Sequence, residues 1–133
     1  MDEAHTTRRH HHGVSPFEAA YGFARAVVAG DRIEVAGTAP VPSPGTELAP
    51  TAYGQMMRCG EIAKEAIEAL DGRMADVVRT RMYIVDPADA DEVGRAHKVL
   101  FGGSEPAATM VVVAGLLDPA WKVEIEVEAL VGR

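Results

Sequence analysis

Three glutamates alternate with apolar residues in the segment KVEIEVEAL, which spans residues 122–130. Successive side chains of an extended chain point to opposite faces, so Glu124, Glu126 and Glu128 share one face of a predicted strand. A carboxylate in such a position can accept a proton or orient a water molecule for hydrolysis. The same row is also typical of a solvated strand face, and the pattern alone leaves both interpretations open.

A second predicted strand carries basic residues at the same spacing. Residues 77–85 are rich in β-branched residues, with Arg79, Arg81 and Tyr83 on one face. If the two strands are neighbours, the arginines can form cross-strand ion pairs with the glutamates, each worth about 0.2–1 kcal/mol.

The remaining reactive side chains favour structural roles. Cys59 lies in a helical pattern, and we interpret it as a packed thiol because no base can be placed beside it. His97 lies inside a predicted helix, where a structural role is favoured over that of a proton carrier. The tract His10–His12 could bind a metal, but in a polar tail next to a glycine we expect it to be disordered.

Composition limits the classes of function. The 133 residues are 47% hydrophobic and carry a net charge of −7, which predicts one acidic domain that repels nucleic acid. The longest apolar run, residues 110–117, is too short to cross a membrane, and the N-terminus lacks the apolar segment of a secretory signal, so a cytoplasmic location is expected. Phosphate loops, dinucleotide fingerprints and paired metal ligands are absent from the sequence, so we expect neither a cofactor nor a bound metal.

The hydrophobic pattern predicts an α+β fold with both helices on one face of a mixed sheet. Residues 1–14 are expected to be a flexible tail and residues 15–133 a single domain. The predicted elements are strands at 25–28 and 32–36, a loop at 37–50, a helix from Thr51 to a stop at Gly72, a strand at 77–85, a helix capped by Asp86, and strands at 109–113 and 122–130.

The strand at 109–113 is apolar on both faces, which predicts that both faces are covered. Two helices on one side of the sheet can cover only one of them. Self-association is the simplest source of the second cover.

Four segments in order resemble the RidA/YjgF family, also labelled endoribonuclease L-PSP. They are SPFEAAYGFARAVVAGDRIEVAGTAP, TAYGQMMRCGEIAKEAIEAL, RTRMYIVDPADADEV and EPAATMVVVAGLLDPAWKVEIEVEAL, and the likeness covers residues 15–131. The resemblance implies a chorismate-mutase-like fold and a homotrimer with small-molecule sites in the clefts between subunits. It also implies hydrolysis of reactive imines or enamines to a 2-keto acid and ammonia.

One family motif is altered. It reads Pro-Ala-Arg-Ser, and its arginine grips the substrate carboxylate, whereas residues 106–109 here read Pro-Ala-Ala-Thr. Ala108 stands at the arginine position, so efficient hydrolysis of 2-imino acids is not expected. The apolar side chains of Ala108, Met110 and Phe23 would favour a less charged substrate.

The other site residues follow from the same resemblance. Glu124 matches the glutamate that orients the attacking water, Gly37 matches a glycine after the second strand, and Phe23 stands at a pocket tyrosine. Arg25 occupies a position that is often glutamine and could reach the ligand from the other wall; otherwise it is a surface residue or pairs with the glutamate row. Backbone amides of residues 107–109 would polarise the substrate. A binding trimer without catalysis and a literal endoribonuclease are the alternatives.

Overall fold

A computed structural model describes residues 8–132 as one mixed sheet with helices packed against it. The strands are β1 (Arg9–His11), β2 (Ala26–Ala29), β3 (Arg32–Thr38), β4 (Val77–Ile84), β5 (Ala107–Val112) and β6 (Val123–Leu130). The helices are α1 (Pro16–Tyr21), α2 (Ala52–Ala69) and α3 (Ala90–Phe101), with short 3-10 turns at Met74–Asp76 and Pro87–Asp89. The predicted α+β fold class is confirmed.

The sheet has the strand order β1-β2-β3-β6-β4-β5. Only β4 and β5 are parallel, and α3 lies in the connection between them. Strand β6 occupies the middle, between β3 and β4. Its strict alternation places Val123, Ile125, Val127 and Ala129 in the core, so the three glutamates lie on the opposite face.

Helix α2 begins as predicted but ends differently. The Thr51 hydroxyl accepts the Gly54 N–H at its start. At its end the left-handed residue is Asp71, with φ 69°, and not the predicted Gly72. Gly72 is required for space, because a Cβ there would lie 2.7 Å from Cδ1 of Ile33. The Gly72 N–H donates to the Ile67 carbonyl.

Helix α3 covers the same face as α2. His97 contributes to that packing: its Nε2 lies 2.8 Å from the Thr80 hydroxyl on the core side of β4, and its ring packs on Phe101. Burial lowers the pKa of His97. These contacts agree with the predicted structural role. Asp86 caps the 3-10 turn that precedes α3 and not α3 itself.

The N-terminal segment differs from the prediction of a flexible tail. Arg9–His11 form β1, in register with β2, so the expected disorder of the histidine tract is wrong for His10 and His11. The Arg9 guanidinium of this strand forms an ion pair with the Asp71 carboxylate at 3.0 Å. Helix α1 was not predicted either. Residues 1–7 of the predicted tail lie outside the described residues.

Strand β5 forms one edge of the sheet. Val111 and Val112 remain 40% and 52% exposed, so the second cover predicted for residues 109–113 is not supplied by the described part of the chain. Self-association stays a prediction. No helix within residues 8–132 is long and apolar enough to cross a membrane.

Candidate functional site

A pocket of about 140 Å³ lies where α1, the end of β3 and the start of β6 meet. Its polar lining comes from two carboxylates, one guanidinium, three hydroxyls and the indole of Trp121. The rest is apolar or glycine. The lining residues are Gly13, Val14, Ser15, Phe17, Glu18, Tyr21, Phe23, Arg25, Gly37, Thr38, Ala39, Val41, Ile62, Leu117, Trp121 and Glu124.

Arg25 is buried in the wall of this pocket, with 5% of its surface exposed. Its Nε donates to Glu18 Oε2 at 3.2 Å, and its Nη1 donates to the Thr38 hydroxyl at 3.1 Å and to the Gly37 carbonyl. The guanidinium carbon lies 5.6 Å from the ring centre of Phe23. The alternative of a surface position is therefore wrong. The ion pair of Arg25 within the described residues is with Glu18 and not with the glutamate row, although its charge also acts on nearby Glu124.

Glu18, which pairs with Arg25, was missed from the sequence. Its carboxylate also accepts the Gly13 N–H, at 3.0 and 3.2 Å, and it is 4% exposed. Ser15 begins α1 by accepting the Phe17 N–H, and Pro16 is the first helical residue. The run Ser-Pro-Phe-Glu at 15–18 has the pattern of a helix capping box, which was the available signal.

Glu124 is half-buried at the start of β6, with its carboxylate against Gly37. A β-bulge in β3 between Val35 and Thr38 brings Gly37 there, and a Cβ on it would lie 2.5 Å from Glu124 Oε2. Burial raises the pKa of Glu124, nearby Arg25 opposes that rise, and Glu126 adds to it. No described residue donates a hydrogen bond to this carboxylate. It can therefore accept one from a water molecule or a ligand.

The other two glutamates of the row already have partners. Tyr83 donates its hydroxyl to Glu126 at 2.9 Å. Glu128 pairs with Arg81 at 2.9 Å across the strands, which confirms the predicted cross-strand ion pair. Arg79 instead donates to the Thr109 hydroxyl at 2.7 Å. Within the row, only Glu124 is left without a hydrogen-bond partner among the described residues.

Four aromatic rings line the pocket, three from residues 17–23 and one from a distant loop. Phe17 and Tyr21, one turn apart on α1, stack at 5.7 Å with an interplanar angle of 4°. Phe23 and Trp121 complete the set. The pair at i and i+4 was visible in the sequence, but its meeting with Trp121 depends on the fold.

A buried glutamine positions the loop that carries Trp121. Gln55 of α2 donates to the carbonyls of Ala49 and Ala120 at 3.0 and 3.2 Å and accepts the Lys122 N–H at 2.7 Å. It therefore holds the residues on both sides of Trp121.

The candidate residues of β5 do not line this pocket in the single chain. Ala107 and Ala108 are exposed, Thr109 accepts from Arg79, and Met110 is half-buried against the core. Their strand is separated from β6 by β4. A shared site with Glu124 would need a β5 from another subunit, and their place in the site stays a prediction.

Cys59 is excluded from the pocket. It is fully buried, with its sulfur 3.9 Å from the Val123 carbonyl oxygen, and burial raises the pKa of its thiol far above the usual range. The prediction of a packed thiol is confirmed. Among residues 8–132, no group of three or more His, Cys, Asp or Glu side chains is arranged to hold a metal ion.

The fold and sequence match known proteins along most of the chain. The family model described as Endoribonuclease L-PSP matches residues 14–131. A Streptomyces coelicolor protein, SCO2049, is 42% identical over 118 residues, which make up 89% of this chain and 88% of that protein. The chain therefore belongs to the endoribonuclease L-PSP family, whose members also carry the names YjgF and Rid.

Solved structures agree with this assignment. Rv2704 from Mycobacterium tuberculosis, a member of the YjgF/YER057c/UK114 family, shares 35% identity with a TM-score of 0.85, over 93% of this chain and 99% of that one. Escherichia coli TdcF, solved with bound serine, shares 22% identity with a TM-score of 0.77, over 92% and 93% of the two chains. At that identity, TdcF supports the fold alone.

Proposed function

We propose that this protein is a cytoplasmic homotrimer that hydrolyses an imine, an enamine or a related small carbonyl derivative, with Glu124 orienting the water. The observation that carries the proposal is the half-buried carboxylate of Glu124, which faces the pocket without a hydrogen-bond donor from the described residues. Water would add to the carbon of the C=N bond while Glu124 accepts its proton. Glu124 then returns that proton to the nitrogen of the resulting carbinolamine. The C–N bond breaks as the hydroxyl loses its own proton to the Glu124 carboxylate, which releases the carbonyl compound and the amine or ammonia.

The environment of Glu124 suits this role. A general base works best when its pKa lies near the working pH, and burial moves the pKa of Glu124 upward in that direction. The absence of a Cβ on Gly37 leaves room for the carboxylate at the pocket wall.

The substrate should lack a carboxylate. Ala108 supplies no cation, and two nitrogens of Arg25 are already committed to Glu18, Gly37 and Thr38. A lost charge-assisted hydrogen bond costs about 1.5–3 kcal/mol, or about tenfold to 150-fold in affinity. Hydrolysis of 2-imino acids should be correspondingly weak.

The trimer is supported by the exposed edge strand. Val111 and Val112 present apolar surface on β5, whose outer edge has no strand partner among the described residues. Soluble proteins seldom leave such an edge open. A neighbouring subunit on this edge would cover the strand and could bring Ala107–Met110 to a site beside Glu124.

The test compares two imines generated in situ, with semicarbazide trapping whatever survives. An amino acid oxidase supplies 2-iminopropionate, and a flavin-dependent amine oxidase supplies the uncharged imine of benzylamine. Wild type should consume the uncharged imine, Glu124→Gln should not, and Ala108→Arg should gain activity on 2-iminopropionate. Glu128→Gln is the matched control, because it removes a charge from the same row outside the pocket.

A trimeric binding module without catalysis is the second candidate, and the alanine at position 108 favours it. It would replace the first if the wild-type trimer consumed neither imine while still binding a pocket ligand. A literal endoribonuclease is poorly supported, since the described pocket lining offers two carboxylates against a single arginine.

A further inference from the structure

The charges and rings of the pocket also define which ligands fit it. We propose that the pocket between α1 and β6 selects a compound of about one aromatic ring that carries a neutral or cationic nitrogen, and that it disfavours carboxylates. This inference rests on the proposed function only in taking this pocket as the binding site.

The lining has a net negative charge. Glu18 and Arg25 form an ion pair at 3.2 Å, with about 95% of each side chain buried, so their charges offset each other. The ring of His12, which is largely exposed, also lies 3.4 Å from Glu18. Glu124 remains as a second carboxylate: the charge of Arg25 acts on it, but no cation of the described residues forms an ion pair with it. An incoming carboxylate would meet this charge in a partly desolvated site, where like charges repel more strongly than in water. A cation would instead be attracted.

The Glu124 carboxylate also sets the hydrogen bonding. Glu124 accepts nothing from the described residues, and an ionised carboxylate can only accept. The complementary group is therefore an N–H donor, as in a protonated amine or an iminium ion. The other two glutamates of the row already accept hydrogen bonds from Tyr83 and Arg81. The acceptor that the row offers to a ligand is therefore Glu124, at the pocket.

The apolar lining sets the shape and size. The stacked rings of Phe17 and Tyr21 form one wall, and Phe23 and Trp121 add two more rings. A volume of about 140 Å³ is close to that of a dry protein cavity of about 150 Å³ that accommodates benzene. One ring next to a short nitrogen-bearing group would fill the site.

Three probes of nearly equal size separate charge from shape: benzylamine, benzyl alcohol and benzoate. Trp121 is the only tryptophan of the chain and lines the pocket, so its fluorescence reports binding directly. Benzylamine should bind about tenfold more tightly than benzyl alcohol, with benzoate weakest. Glu124→Gln should abolish the advantage of benzylamine over the alcohol, whereas Glu128→Gln should preserve it.

The proposal is wrong if benzoate binds as tightly as benzylamine, or if the order of the three probes survives in Glu124→Gln. It is also wrong if none of them binds up to about 10 mM. The readout is independent of turnover. Selective binding of benzylamine without hydrolysis of either imine would reject the proposed reaction and keep the ligand class, and hydrolysis without this order of binding would do the reverse.

Discussion

Gly37→Ala should remove function while leaving the fold nearly intact. Gly37 does not have a positive φ, so alanine can adopt its backbone conformation without strain. The obstacle is the Glu124 carboxylate, because the new Cβ would lie 2.5 Å from Oε2. The carboxylate is the end of a flexible side chain that can turn away, and the backbone can therefore stay in place.

The size of the effect follows from that distance. Ordinary contact begins at 3.4 Å, so Oε2 must retreat by about 1 Å. Misplacing a catalytic group by about 1 Å can lower a rate about 100-fold, which corresponds to about 2.7 kcal/mol in the barrier. The free energy of unfolding should change by less than about 1 kcal/mol, since only one rotamer moves.

Two measurements separate these effects: consumption of the uncharged imine and the urea midpoint of unfolding. Gly94→Ala is the matched control, because its Cβ would meet nothing within 4 Å and alanine favours the helix. That variant should keep full activity and be equally or more stable. Full activity in Gly37→Ala would refute the placement of Glu124 as the catalytic group. If the free energy of unfolding fell by as much as the barrier to hydrolysis rose, the claim that this substitution affects function and not folding would be refuted.

Three further outcomes are expected. Glu18→Ala should lower the free energy of unfolding by about 3–5 kcal/mol in urea titrations, because it leaves the buried Arg25 unpaired; a loss below about 1 kcal/mol would contradict that burial. Burial raises the pKa of Glu124, so the folded protein holds this proton more tightly than the unfolded chain, and the residue's contribution to stability falls as pH rises through the interval between the ordinary and the raised pKa. Glu124→Gln should remove this pH dependence, so that the variant is more stable than wild type above the interval and equally stable below it. Free energies of unfolding that change with pH in the same way in both proteins would contradict the raised pKa. Cys59 should react with a thiol reagent only as fast as the protein opens, because its sulfur is buried and burial raises its pKa; rapid modification of the native protein would contradict this.

The sequence predicted those helices and strands whose apolar residues repeat at a regular spacing. Strand β6 alternates strictly and α2 repeats its apolar residues at helical spacing, so each was predicted nearly in full. Strand β1 and helix α1 were missed because three and six residues are too short to show a period. Strand β1 is held by long-range contacts, such as that between Arg9 and Asp71, which no local pattern displays.

The residues of the candidate site were likewise predicted only in part. Glu124, Gly37, Phe23 and Arg25 were predicted from the family resemblance, and the structure brings all four to one pocket. Their assigned roles stay predictions. The partnership of Arg25 with Glu18, seven residues apart, was not predicted, because it depends on α1 and on the left-handed turn at Gly22 that follows it. The contribution of Trp121 depends on Gln55, 66 residues earlier, which anchors both flanks of that loop.

The central position of β6 constrains how the protein is made. Strand β6 joins the β1–β3 half of the sheet to the β4–β5 half, and the ribosome synthesises it after every other described strand. Until it emerges, two strand edges that will become the middle of the sheet stay open, and Glu124 is missing from the pocket. Such non-local pairing is slow to form and exposes apolar surface to aggregation. Nascent chains of this protein should therefore depend on chaperones until β6 is released, and the carboxylate of the pocket arrives in the same step that closes the sheet.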